Sequence, residues 1–130
     1  MTTNRKLLAA LFLCIAALVT GSVMLFRLRF YRTLVLRDLS VTNTQTASVA
    51  FNPSNIRWTI SGQVQGSGVV VVPGIFSNSV SGQFSTSGTG DYYATNVSLI
   101  FIPQGKASGE VRGEFFLSDG LWGEISLRLR

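Results

Sequence analysis

With no histidine in this 130-residue sequence, six carboxylates and one thiol are the side chains first weighed for acid, base or nucleophilic chemistry. Without histidine the Ser-His and Cys-His arrangements for nucleophilic catalysis are excluded, and so are the usual zinc and copper ligand sets. The thiol, Cys14, lies inside an apolar run, where it acts as a small apolar residue. Leu13 before it is too bulky for a lipid-attachment signal, which requires a small residue there. The glycine-rich stretch Ser87-Gly88-Thr89-Gly90-Asp91 lacks the Lys and Ser/Thr of a phosphate loop and reads as a polar turn.

The carboxylates offer one close pair. Glu110 and Glu114 lie four residues apart on one extended segment, about 13 Å, too far for a retaining glycosidase. A C-terminal hairpin brings Glu114 closer to Glu124. With a three-residue Ser118-Asp119-Gly120 loop, Leu117 faces Leu121, Phe115 faces Gly123, Gly113 faces Ile125 and Val111 faces Leu127, so every apolar residue falls on one side. Glu114 then stands opposite Glu124 at about 5 Å, where arginines screen the two charges or calcium binds them. The expectation is two solvated glutamates: no catalytic residue, no metal, no cofactor and no enzymatic activity.

Beside that pair Phe116 faces Trp122, and Tyr92 and Tyr93 follow a flexible turn. Exposed aromatics flanked by carboxylates bind sugars or protein partners, so Tyr92, Tyr93, Phe116, Trp122, Glu114 and Glu124 form the candidate partner-binding set. The same aromatics are equally explained as a second buried face, covered by another sheet or by the membrane surface. Asn96-Val97-Ser98 matches a glycosylation sequon, a weak signal on its own.

Two kinds of element must position these residues. The first is the run Leu7 to Phe26, twenty residues without a charge, preceded by Arg5 and Lys6. That length crosses a bilayer as a helix. The reading adopted is an uncleaved signal-anchor over residues 1–27 that contacts the lipid bilayer through Leu7–Phe26. The alternative is a signal peptide cleaved near Val19-Thr20-Gly21-Ser22, which would leave a secreted β domain.

Charge follows the same division. Residues 1–37 hold six basic and no acidic side chains, while 38–130 hold five basic and six acidic ones. The positive charge is therefore juxtamembrane, with Arg27, Arg29 and Arg32 expected against anionic headgroups, and nucleic acid is not an expected partner. These arginines weakly favour a cytoplasmic C-terminus. A surface rich in Ser, Thr, Asn and Gln, with one lysine after the anchor, points to an extracytoplasmic domain instead, and that is the location expected.

The second kind of element is the β-strand, and beyond residue 27 the hydrophobic period becomes two. Ile56, Trp58, Ile60, Gly62 and Val64 alternate with Arg57, Thr59, Ser61 and Gln63, and similar runs cover Val80–Ser85 and Tyr93–Phe101. Val69–Val72 is apolar on both faces, and Leu28–Leu36 and Ala47–Phe51 supply further strands. Turns are expected at Gly66-Ser67-Gly68, Pro73-Gly74, Ser87–Gly90 and Pro103–Lys106, with Val41–Thr46 as a linker or an edge strand. The repeated Gly-Glu/Gln-hydrophobic triplets, such as Gly113-Glu114-Phe115, fit strands in which glycine makes room on the apolar face.

The chain is thus expected to be all-β over residues 28–130, an antiparallel sandwich or small barrel of 7–8 strands behind one transmembrane helix. Its expected role is a binding or scaffolding module at the membrane surface, with a protein or glycan partner. The alternative is a small barrel that binds an apolar or lipid-like ligand.

Overall fold

In the computed structural model residues 2–120 are described; Met1 and residues 121–130 lie outside the described residues, as do the side chains of Arg27 and Leu28. Helix α1 (Thr2–Phe30) is followed by β1 (Tyr31–Leu36), β2 (Asn43–Ser48), β3 (Asn55–Val72), β4 (Phe76–Asp91), β5 (Asn96–Pro103) and β6 (Ser108–Ser118).

The leucine- and alanine-rich sequence of α1 favours a helix on intrinsic propensity alone. Its side chains are exposed on every side, from Leu7 through Phe12 to Leu25, so no stripe faces a protein core. The helix is long and apolar enough to span a membrane. The hydroxyls in the run are consistent with an apolar medium: Thr20 Oγ1 donates to the Ala16 carbonyl and Ser22 Oγ to that of Leu18, each at 2.8 Å. The helix continues three residues past the expected boundary at 27, and Leu28–Phe30 belong to it rather than to the first strand.

The strands form one antiparallel sheet in the order β1-β6-β3-β5-β2, with β4 on β3, and β1 approaches β2 to leave the sheet nearly closed. The all-β expectation is borne out, with six strands among the described residues. Two glycine-rich stretches that read as turns lie inside strands, one of them joining two expected strands into β3, and the strand expected over 121–127 lies outside the described residues. Ser87–Gly90 is part of β4, paired with Ile56–Thr59 of β3. Gly66-Ser67-Gly68 lies within β3, where the register slips between Val64 and Ser67 as a bulge. Gly66 has φ +88° there, a conformation natural only to glycine, and its carbonyl accepts a 2.8 Å bond from Ser81 Oγ. The turns at Pro73-Gly74 and Pro103–Lys106 are as expected, and the Val41–Thr46 segment enters edge strand β2 at Asn43.

This bulge divides β3 between two layers. Its first half pairs with β6 (Asn55↔Ser118 to Gln65↔Ser108), its second half with β5 (Gly68↔Pro103 to Val71↔Ile100). The layers meet face to face: Trp58 from the first half stacks on Phe76 beside the second, ring centroids 5.3 Å apart. Between them Leu36, Ile60, Val70, Leu99, Phe101, Val111 and Phe115 are fully buried. Their side chains form one apolar cluster between the layers.

At β6 the described neighbours come from distant strands. Its inward residues Val111, Gly113, Phe115 and Leu117 are those anticipated, and both of its edges are occupied from Val111 to Phe116, by β1 on one side and β3 on the other. The hairpin partner expected from residues 121–127 lies outside the described residues. Gly113 does make room for a large neighbour, and that neighbour is on its own strand: a Cβ at Gly113 would stand 2.6 Å from the Phe115 ring.

Gly113→Ala is therefore expected to overpack the core and cost about 1–3 kcal/mol. Gly90→Ala, where a Cβ meets open space, is expected to be close to neutral. Denaturant midpoints of the two variants against the parent check the contrast.

Candidate functional site

Inward residues on β1, β6, β3 and β4 are apolar, so alternation sends a polar set to the outer face. The registers align that set in rows. Thr33, Glu114, Thr59 and Ser87 form one row across the four strands; Val35, Arg112, Ser61 and Ser85 form the next. A third row holds Glu110, Gln63 and Gln83. Rows are about 7 Å apart and strands about 4.8 Å apart, so donors and acceptors recur at the spacing of a sheet.

The surface along β3 is dished. A depression of about 310 Å³ is lined by Arg57, Thr59, Ser87, Gly88 and Thr89, and another of about 370 Å³ by Ser61, Gln63, Gln83 and Ser85 among others. A third, about 470 Å³, is lined by Arg37, Gln63, Gln65, Gly109 and Glu110. Gln63 borders the second and third, and Thr59 and Ser87 of the first stand one row from Ser61 and Ser85 of the second, so the depressions follow one another along β3 as a shallow trough. Two loose ion pairs flank it: Arg112 Nη1 to Glu114 Oε1 at 3.8 Å and Arg37 Nε to Glu110 Oε2 at 3.7 Å, all half exposed or more. Exposed pairs of this length hold their partners weakly, and either charge can turn to a ligand at little cost.

Of the described candidates, Glu114 and Phe116 lie on this face, Phe116 in the end row with Tyr31, Arg57 and Thr89. The cross-strand neighbours of Glu114 are Thr33 and Thr59. Glu124 and Trp122 lie outside the described residues. Phe116 is buried, 5% exposed, which removes it from the exposed patch expected. It is enclosed by Phe26, Phe30 and Tyr31, with ring centroids at 5.9, 5.9 and 4.8 Å, and Arg57 stacks on it with Cζ 5.2 Å from the centroid. The helix end supplies the second cover that the sequence left open between sheet and membrane.

Tyr92 and Tyr93 separate in role. Tyr92 is half-buried, its hydroxyl donates a short bond to the Asn96 carbonyl, and desolvation holds its pKa above the ordinary tyrosine value. Tyr93 is 72% exposed in the loop between β4 and β5. The arginines differ too. Arg29 is exposed, its guanidinium over the rings of Phe30 and Phe51 at 5.4 and 5.6 Å. Arg32 Nε donates to the Ser48 carbonyl at 3.0 Å and Nη1 to that of Tyr31, so it ties β1 to β2. Arg27 falls in α1, and its side chain is outside the described residues.

The trough residues Gln63, Gln83, Ser61 and Ser85 were visible in the sequence only as the wet half of an alternation. Nothing local distinguishes a binding face from a solvated one; the signal is the alignment of four strands distant in sequence.

Among the described residues, no three acidic or sulfur side chains come together as a metal site. No family model and no curated protein matches the chain. Solved structures with a similar chain path include a ruminal GH26 endo-beta-1,4-mannanase (TM-score 0.40, 12% identity, 62% of this chain), of which this chain spans only 18%. A CBM4 structure gives TM-score 0.35 at 8% identity, covering 68% of this chain and 71% of that one. The carbohydrate-binding module CBM36 in complex with calcium and xylotriose gives 0.31 at 12%, covering 68% and 88%. Likeness at this level amounts to a sheet-rich chain path.

Two outcomes follow from this geometry. Tyr92→Phe leaves the Asn96 carbonyl without its hydroxyl donor and is expected to cost about 0.5–1.5 kcal/mol in a denaturant titration. Asp38, which caps the turn after β1 by accepting from the Ser40 amide (3.1 Å) and hydroxyl (2.6 Å), has its pKa held below the ordinary carboxyl value by those bonds. A lowered folded pKa contributes stability above the unfolded value and loses it as pH falls through the folded one. Parent and Asp38→Ala stabilities are therefore expected to differ at pH 7 and to converge in acid.

Proposed function

We propose that this protein is a membrane-anchored binding module, extracytoplasmic, that holds a hydroxyl-rich ligand of the glycan class on the polar face of β1, β6, β3 and β4 and performs no chemistry on it. The observation that carries the reading is the trough along β3, where amides, hydroxyls, a guanidinium and carboxylates stand in register. Such groups satisfy sugar hydroxyls in both directions, since amides and hydroxyls donate and accept, and carboxylates accept. A protein partner is less well matched, because stable protein interfaces centre on an apolar, charge-poor patch. The rival reading, a barrel around an apolar ligand, is less well matched among the described residues, because Leu99, Phe101 and Phe115 are fully buried between the layers.

Location follows from α1, which supports a bilayer anchor by its length and all-round apolar surface. The extracytoplasmic side rests on composition: the outward face is Ser-, Thr- and Gln-rich rather than lysine-rich.

The test is retention of detergent-solubilised full-length protein on a panel of immobilised polysaccharides. At least one is expected to retain the parent. The double variant Gln63→Ala/Glu114→Gln is expected to bind about tenfold more weakly, the loss of two hydrogen bonds at about 0.5–1.5 kcal/mol each, with its unfolding midpoint unchanged. Equal retention of parent and variant contradicts the assignment of this face.

A further inference from the structure

The loops that flank the end of the helix form a surface of their own. Phe30 is the last residue of α1 and Tyr31 the first of β1, so no linker separates the apolar helix from the sheet. The registers bring other chain segments to that same end. Asn55 pairs with both Ser118 and Asp91; the Ser54 amide donates to the Ser118 carbonyl and the Tyr92 amide to that of Ser54. The Val49 amide donates to the Thr95 carbonyl, and the Phe51 ring stands 5.3 Å from that of Phe30. The loops 49–54 and 92–95 thus lie side by side at the foot of α1.

The exposed side chains at this end, from the loops and from the helix–strand junction, are interfacial in type. Tyr93 is 72% and Tyr31 40% exposed, Phe51 is partly exposed, and Arg29 stacks over Phe51. Among the described side chains, Leu25, 69% exposed, is the last strongly exposed apolar one of the helix before these loops. Five residues of helix separate Leu25 from Phe30, a rise of about 7.5 Å. That is about the depth of one headgroup layer, which leaves the loops at the level where tyrosine partitions best.

We propose that the loops 49–54 and 92–95 seat the domain in the headgroup layer of the bilayer that α1 spans, with Tyr93 and Tyr31 as the aromatic anchors and Arg29 reaching lipid phosphate. The proposal rests on the anchor reading above and adds the orientation it implies: the strands rise from the membrane, and the polar face looks sideways along it. Asp91 stands at the same end, so the attachment draws on aromatic partitioning more than on net charge.

The experiment uses the full chain in phosphatidylcholine vesicles, with Cys14→Ala to remove the native thiol. An environment-sensitive dye is placed at Ala94→Cys in the lower loop or at Gln104→Cys in the turn between β5 and β6. Quenching by a shallow lipid nitroxide and by aqueous iodide is then compared. The dye at 94 is expected to be quenched by the nitroxide and shielded from iodide several-fold relative to 104, and Tyr93→Asp is expected to lose that shielding. Iodide quenching equal at both positions, in protein that floats with the vesicles, overturns the seating while the anchor stands. Protein that fails to float overturns the anchor reading itself, and the seating with it.

Discussion

The direct passage from Phe30 to Tyr31 constrains everything else in this molecule. A chain that leaves a membrane helix without a linker must begin its first strand within about one headgroup depth of the hydrocarbon. The helix end then becomes part of the domain. Phe26 and Phe30 cover Phe116, Phe51 closes over Phe30, and Arg57 stacks on Phe116 while its Nη2 donates to Tyr31 Oη at 3.3 Å. This aromatic cluster joins two environments: its upper members belong to the sheet, and its lower ones to a helix whose remaining surface is apolar and exposed.

A second constraint acts at the opposite end of the first layer. A domain of this size has few residues with which to bury a core, and a flat six-stranded sheet would leave one apolar face uncovered. The bulge between Val64 and Ser67 resolves this by giving β3 a different partner in each half, β6 before the bulge and β5 after it. The inner faces then cover each other. The outer face of β1, β6, β3 and β4 beyond the Phe116 row is left largely polar and dished, and that is the surface assigned to ligand binding. Fold and proposed function share one cause, since the alternation that fills the core also aligns Gln63, Ser61 and Thr59 on the outside.

Much of this was legible in the sequence because it is local. The uncharged run from Leu7 to Phe26 and the period-two pattern of Ile56 to Val64 each report a single element, and both elements are present. The inward set Val111, Gly113, Phe115 and Leu117 was likewise readable from alternation alone. Partners were not readable. The hairpin partner expected after β6 lies outside the described residues, and β6 itself is flanked by β1 and β3, strands some 80 and 50 residues earlier, for which alternation supplies no register. Glu114 faces Thr33 and Thr59 on those strands, and Phe116 is buried by a helix that the sequence placed in lipid. Glycine misled for a related reason: Gly88 reads as a turn, whereas its missing side chain admits the Trp58 indole, 2.5 Å from where a Cβ would stand.

The central claim is that helix and sheet remain one molecule at a membrane, and intact mass measured together with membrane fractionation and external protease tests it most directly. The account predicts a full-length chain in the membrane fraction of intact cells whose β domain is removed by protease added outside. A soluble chain shortened near Gly21 or Ser22, or a full-length membrane chain protected from external protease, would contradict it, the first in the anchor and the second in the side on which the domain lies.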